Sequence, residues 1–219
     1  MHILVIGASG GVGQQVVTQA LTRGHRVSVL VRQPRPWPAL VTAHSGDVGD
    51  AAAVAAAMPG IDAVISCVGM RRRNPANPWS ENLSPPDLTS RAAQHIVAGM
   101  HQHHVPRVIA VSAAGVGESV AQLNGVMQYM LAHTMIGTAY ADLARMEAVF
   151  AASGVEWLAP RPTTLRDGAV TGRVQVVSHF GTFAMIRRAD VAWWMLEALA
   201  QPVWPHPTWH SRTPQLSNG

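Results

Sequence analysis

Residues 2–13 read HILVIGASGGVG, and residues 14–31 continue QQVVTQALTRGHRVSVLV. His2 to Ile6 is a short apolar run bounded by Gly7, the pattern of a strand buried on both faces. Val12, Val16, Val17, Ala20 and Leu21 then recur at helical spacing, and Arg23-Gly24 supplies stop signals. Arg26 to Val31 is a second apolar run. Strand, helix and strand follow within about 30 residues, the length that a β-α-β unit needs.

The turn after the first strand reads Gly7-Ala8-Ser9-Gly10-Gly11-Val12-Gly13, a G-x-x-G-x-x-G spacing. Gly7 and Gly10 let the backbone turn sharply and approach a pyrophosphate. Gly13 lets the helix lie close to the strand, and the helix N-terminus presents N–H groups and a positive dipole to an anion. The turn therefore predicts dinucleotide binding at Gly7, Ser9, Gly10, Gly11, Val12 and Gly13. At the end of the second strand stands Arg32, with Arg35 nearby and no acid. An arginine there can clamp a 2′-phosphate that a carboxylate would repel, so the expected cofactor is NADP(H) rather than NAD(H).

The alternation continues outward. Strands are expected at 41–44, 62–67, 107–112 and 155–159. Helices are expected at 51–58, 87–103, 138–152 and 189–200, with a hairpin or extra strand at 170–178. Alternating strands and helices imply an α/β fold, a single doubly wound parallel sheet with helices on both faces, in the order 3-2-1-4-5-6. Residues 70–86 and 113–137 read as long irregular connections leaving the carboxyl ends of strands, where such sheets bind ligands. Residues 1–200 form one dinucleotide-binding domain that includes these loops. Residues 201–219, with Pro202, Pro205, Pro207 and Pro214, read as an irregular, partly disordered tail.

Composition narrows the chemistry. Of 219 residues, 48% are hydrophobic and 13% charged, which suits a folded chain. All 16 basic residues are arginine. The absence of lysine excludes a Schiff base, a P-loop lysine and a Tyr–Lys pair. The net charge of +4 is scattered except at Arg71, Arg72 and Arg73, and no basic stripe with interleaved aromatics predicts a nucleic-acid partner. A single Cys67 excludes an intrachain disulfide framework and a multi-cysteine zinc site. His101, His103 and His104 read as capping groups at a helix end, not as metal ligands. The apolar stretch AAAVAAAM (51–58) is far too short to span a bilayer, and no signal-length run opens the chain, so a cytoplasmic protein with no membrane partner is expected.

The chain resembles the atypical short-chain dehydrogenase/reductases with an NAD(P)H-binding, Rossmann-type domain. Within them it is similar to the NmrA-like group and the biliverdin reductase B / flavin reductase type. The resemblance covers about residues 1–200. It rests on VIGASGGVGQQVVTQALTRGHRVSVLVR at the start, GDV at 46–48, DAVISCVG at 62–69 and RVIAVSA at 107–113. It rests further on MEAVFAASGVEWLAPRPTTL at 146–165 and RRADVAWWMLEAL at 187–199. The resemblance implies that Asp47 accepts a hydrogen bond from the adenine amine, with Val48 beside the ring. Cys67, Val68 and Gly69 would pass close to the adenosine ribose and the bridge to nicotinamide. Pro160, Arg161, Pro162 and Thr163 would line the nicotinamide end, with Arg161 either a ligand contact or an anchor for its loop.

Catalytic residues are fewer. Short-chain reductases use a Ser, a Tyr and a Lys four residues after the Tyr, the Lys lowering the tyrosine's pKa. Ser112 stands at the end of the fifth strand, where it is expected as a positioned donor to the acceptor or the nicotinamide amide. Tyr140 is the candidate tyrosine, but four residues on stands Ala144, and Arg145 lies about 140° off the tyrosine's face. The resemblance therefore implies hydride transfer from NADPH to a small conjugated acceptor (a flavin, quinone, tetrapyrrole or enone), with the protein binding and orienting. A non-catalytic NADP(H) sensor of the NmrA type and a biosynthetic ketoreductase or isomerase remain open. Cys67 reads as a small buried residue rather than a reactive thiol, and Trp193 and Trp194 as packing. Asp142 and Glu147, five apart, imply no paired-carboxylate site.

Overall fold

A computed structural model describes residues 1–219 except 34, 75, 182, 206–208, 210 and 219. Strand β1 (His2–Ile6) runs between β2 (Arg26–Val31) and β4 (Ala63–Ser66), parallel to both. With β3 (Val41–Ser45), β5 (Arg107–Ala110) and β6 (Glu156–Leu158) they make one six-stranded parallel sheet, ordered β3-β2-β1-β4-β5-β6. This is the expected doubly wound sheet.

The pleat sorts its side chains by alternation. Ile3 and Val5 pack on one face with Val16, Val17 and Ala20 of α1 (Gly11–Thr22) and Val191 and Met195 of α6 (Arg188–Leu199). Leu4 and Ile6 pack on the other with Val54 of α2 (Ala51–Ala56), Ile96 of α3 (Leu88–His103) and Phe150 of α5 (Met135–Ala152). The four β1 side chains are at most 1% exposed, and each contributes about 1.5–3 kcal/mol by burial. No helix among the described residues is long and apolar enough to cross a membrane.

Two stretches differ from their sequence readings. Residues 113–137 are not wholly irregular: they hold a 3-10 turn (Gly117–Gln122) and helix α4 (Gly125–His133), capped by Asn124, whose side chain accepts from the Met127 N–H. The described residues of 201–219 are not a loose tail. Strand β11 (Gln215–Ser217) lies between β7 (Arg161–Pro162) and β9 (Gln175–Val177) in a small sheet. Beside it, β8 (Thr164–Arg166) pairs with β10 (Met185–Arg187). Trp204 and Leu216 are buried. The Arg107 guanidinium stacks over Trp204 and donates to the Gln201 and Pro202 carbonyls. Local proline content pointed to disorder, and long-range packing overrides it. Pro207 lies outside the described residues.

Asp190, fully buried in the first turn of α6, joins three segments. One carboxylate oxygen accepts the Thr171 and Gly172 N–H groups at 2.6 and 3.0 Å. The other accepts the Thr171 hydroxyl at 2.8 Å and the Asn218 amide at 3.0 Å. Burial raises the Asp190 pKa, but these hydrogen bonds outweigh it, and the net shift is downward. A carboxylate with a depressed folded pKa contributes stability that is present above its unfolded pKa and lost as pH falls through the folded value. Asp190→Asn is therefore expected to cost about 1–3 kcal/mol at neutral pH. The Tm gap between the two proteins, followed by thermal melts across pH, should narrow below about pH 4. A gap that persists unchanged into acid refutes the assignment.

Candidate active site

The first turn is shaped by two close approaches. Gly7 has φ +79°, and a Cβ on it would sit 2.6 Å from the Cys67 carbonyl oxygen. A Cβ on Gly13 would overlap the Gly7 carbonyl. Gly10 is different. Its φ of −76° suits any residue, and a Cβ there meets only the Gly7 carbonyl, at 3.3 Å. No side chain caps the first turn of α1, whose N–H groups have no intrahelical acceptors.

A cavity of about 600 Å³ opens in front of this turn. Gly7, Ser9 and Gly10 line it from β1, Arg32 from the end of β2, and Asp47 and Val48 from the end of β3. Cys67, Val68 and Gly69 line it from the end of β4. Nine of the residues singled out from sequence thus meet on one wall. Gly11 is exposed at the start of α1, whereas Val12 and Gly13 are buried where α1 meets the sheet. Pro160 is buried away from this wall, its carbonyl taking the Ser112 N–H.

The cavity is electropositive. Besides Arg32 it is lined by Arg71 and Arg91, against Asp47 on the wall and Asp87, which lies 3.5 Å from the Arg91 guanidinium. Asp47 accepts the Gly49 N–H at 2.7 Å and stands 3.8 Å from the Arg32 guanidinium. Both side chains are exposed, so that pair is weak. Arg91 was missed from sequence, where it is one more charge on a helix. Its Nε is buried with no hydrogen-bond partner among the described residues. Arg35 stacks on Trp37 instead. Burial pushes the Cys67 thiol up to about 12, so at neutral pH it is protonated and a poor nucleophile.

A second cavity, about 650 Å³, adjoins the ends of β5 and β7. Ser112, Tyr140, Pro162 and Thr163 are on its wall. Met70, Met127, Met135, Ile136, Leu165 and Phe180 give it an apolar side, facing polar groups such as Arg72, Gln122 and Asn124. Between the two cavities, residues 71–73 pair with 81–83 as a short hairpin. Arg72 bridges Asn82, and the Leu83 N–H bonds to the Arg71 carbonyl at 2.7 Å. Gly69 and Arg71 face the first cavity, Met70 and Arg72 the second. Helix α4 contributes Met127, although none of its residues is buried.

Behind Ser112 lies a carboxylate that spacing along α5 did not single out. The Ser112 hydroxyl donates to Glu147 at 2.6 Å. Arg161 holds both Glu147 oxygens, at 3.0 and 2.6 Å, and extends to Glu118 at 2.5 Å. Burial opposes the Arg161 charge, but the two carboxylates outweigh it and raise its pKa above the ordinary range. Arg161 is thus the anchor of its loop. The sequence-based sense of Ser112 as a donor is corrected: its proton is committed to Glu147, so toward the cavity it offers lone pairs.

Tyr140 is half-buried on the cavity wall. Burial raises its phenol pKa. Arg145 turns away to Asp142 and the Pro86 carbonyl. Asp142 itself accepts from the Thr89 and Ser90 hydroxyls, holding α5 to α3. His104 ends α3 at φ 56°, whereas His101 does not cap its own helix but bonds to the Ser153 carbonyl at the end of α5.

A family model described as NAD(P)H-binding matches residues 7–202. The chain belongs to that family. An uncharacterised protein of Mycobacterium tuberculosis is 40% identical over 75 residues, 34% of this chain and 9% of that protein. The chain thus spans under a tenth of the length of that curated relative. Among solved structures, ChuY, an anaerobillin reductase of Escherichia coli O157:H7, superposes with a TM-score of 0.77 at 23% identity, covering 100% of this chain and 97% of its own. A short-chain dehydrogenase/reductase of Veillonella parvula, in complex with NADP, gives 0.74 at 15% identity, covering 99% and 94%. At these identities both structures speak for the fold alone.

The two glycines separate fold from binding. Gly13→Val should fail to fold or melt far below the unmodified protein. Gly10→Val should keep its Tm within a few degrees yet bind NADPH at least about tenfold more weakly by calorimetric titration, about 1.4 kcal/mol. Normal binding by Gly10→Val places the phosphates elsewhere.

Proposed function

We propose that the protein is an NADPH-dependent oxidoreductase that reduces a small conjugated acceptor. One observation carries the reading. An electropositive cavity at the glycine turn and a cavity with an apolar side at the ends of β5 and β7 share the hairpin of 71–73 and 81–83 as a wall. With its adenosine in the first cavity, such a cofactor would be held by Gly10, Arg32 and Asp47, and its nicotinamide end would lie toward Ser112, Pro162 and Thr163. The residues present fit that group. Gly10 keeps the turn open to a pyrophosphate, the uncapped turn of α1 offers N–H groups, and three arginines oppose Asp47 and Asp87.

When bound, NADPH supplies a hydride, and the acceptor takes it with one proton from water, leaving NADP⁺. The chain's own residues bind, orient and exclude water. The methionines offer an adaptable apolar surface to a flat molecule. The protein supplies no base of the Tyr–Lys kind: lysine is absent, and burial keeps the Tyr140 phenol protonated. A conjugated acceptor needs no such base, because its product anion is delocalised and takes a proton from solvent.

Cofactor choice is tested at Arg32. NADPH should bind at least about tenfold tighter than NADH by calorimetric titration, and Arg32→Ala should lose most of that preference. A preference intact in Arg32→Ala moves the 2′-phosphate to Arg71 or Arg91, and equal affinities in the unmodified protein refute NADP(H) selection.

The chemistry is tested at the other wall. Tyr140→Phe should lose no more than about threefold in kcat, whereas Ser112→Ala, which removes a group that only orients, should lose about tenfold, less than an oxyanion donor would cost. Collapse of activity in Tyr140→Phe alone favours a ketoreductase. No NADPH oxidation with any flavin, quinone, tetrapyrrole or enone favours a sensor.

A further inference from the structure

The turn after β1 holds one glycine more than the G-x-x-G-x-x-G spacing uses. Gly11 is the first residue of α1, and its φ is not positive. The backbone there admits any residue, and alanine would be the better helix former. What excludes a side chain is Arg188, the first residue of α6. A Cβ on Gly11 would lie 2.7 Å from the Arg188 Cδ, 3.0 Å from its Nε and 4.0 Å from its Cζ. Arg188 thus lays its side chain in the space that Gly11 leaves free, one residue along from Gly10 on the cavity wall. Its guanidinium donates to Asp167 at 2.8 Å, but the Asp167 side chain is 90% exposed, and so exposed a pair is weak. The nearby groups are committed elsewhere. Arg187 donates to the Ala169 carbonyl, and Asp190 accepts from Thr171, Gly172 and Asn218. A cation at a helix N-terminus is disfavoured. Arg188 stands at the start of α6, and its side chain reaches the start of α1. An anion at this point reverses that repulsion.

We infer that Arg188 is a diphosphate clamp: it exchanges Asp167 for the phosphates of a dinucleotide seated at the glycine turn, and Gly11 is the slot that delivers it there. This deepens the cofactor reading and rests on it for the place of the phosphates. Arg32, at the end of β2, is the group proposed for the 2′-phosphate that only NADPH carries. Arg188 acts instead on the diphosphate that NADPH and NADH share, so it sets affinity and not selection. A guanidinium can meet phosphate oxygens with two parallel N–H groups, which a single oxygen of Asp167 does not engage. Asp167 is the competing acceptor, and a phosphate displaces it.

Calorimetric titration of the full protein with NADPH and with NADH tests this. Arg188→Met keeps an unbranched chain beside Gly11 and removes the charge. It should weaken both dinucleotides at least about tenfold, the effect of losing a hydrogen bond to a charged group, and leave their ratio within about twofold. Gly11→Ala should weaken both in the same way by displacing the guanidinium, and in an Arg188→Ala background it should change nothing further. Asp167→Asn, which removes the competing charge, should tighten both. Should Arg188→Met fail to fold, Gly11→Ala and Asp167→Asn carry the test. Dinucleotide binding unchanged in Arg188→Met, a loss confined to NADPH, additive losses from Gly11→Ala and Arg188→Ala, or weaker binding in Asp167→Asn overturns the inference. A protein that binds neither dinucleotide refutes the cofactor reading and the clamp with it. One that binds them but is indifferent to Arg188 loses only the clamp.

Discussion

A Cβ on Gly13 would have to occupy the place of the Gly7 carbonyl oxygen. Much of the molecule follows from that contact. It lets α1 start directly at the end of β1 and lie close along the sheet, where Val16, Val17 and Ala20 meet α6 and one face of the strands. It also leaves the first turn of α1 uncapped and open to the end of the sheet. A side chain at Gly7 would drive the turn into the backbone at Cys67, and β4 would lose its place beside β1. The close packing of α1 and the open, uncapped first turn are thus one constraint. Gly10 is the exception: its φ suits any residue, and a Cβ there would be a tight contact with the Gly7 carbonyl oxygen at 3.3 Å, not an overlap.

The second organising contact is buried and charged. Arg161, 3% exposed in its side chain, ties β7 to α5 through Glu147 and to the 3-10 turn through Glu118. Desolvating such ions costs several kcal/mol each, and apolar residues of similar volume commonly serve stability as well or better. Stability is therefore a poor reason for the cluster, and direction a better one. An apolar side chain at 147 would leave the Ser112 hydroxyl free to rotate. A carboxylate fixed on both oxygens gives that hydroxyl one orientation.

The sheet was readable because each strand of β1, β2, β4 and β5 is a near-continuous apolar run, and the glycine turn because its spacing has a mechanical meaning. What escaped reading depends on contacts distant in sequence. Glu147 was weighed against Asp142, its neighbour in the helix, but its partners are Ser112 and Arg161, brought to it by β5 and by the strand after β6. A carboxylate one residue after Met146 and three before Phe150, both buried, was the available signal. Arg91 carries no local mark of facing a cavity. In 201–219, prolines are visible locally, whereas the burial of Trp204 and Leu216, among the described residues, is not.

The hairpin between the cavities links these themes. Residues 69–72 alternate sides as a strand does, so Gly69 and Arg71 face the cavity at the glycine turn and Met70 and Arg72 the one at the ends of β5 and β7. Asn82 pairs with Arg72 across the hairpin, and its amide is directed at the Met135 carbonyl at the start of α5. A shift of this backbone that draws Arg71 toward a phosphate cannot leave Met70 and Arg72 behind, because they share the same peptide units. A change at the wall of the first cavity is therefore carried to the wall of the second through residues 69–72.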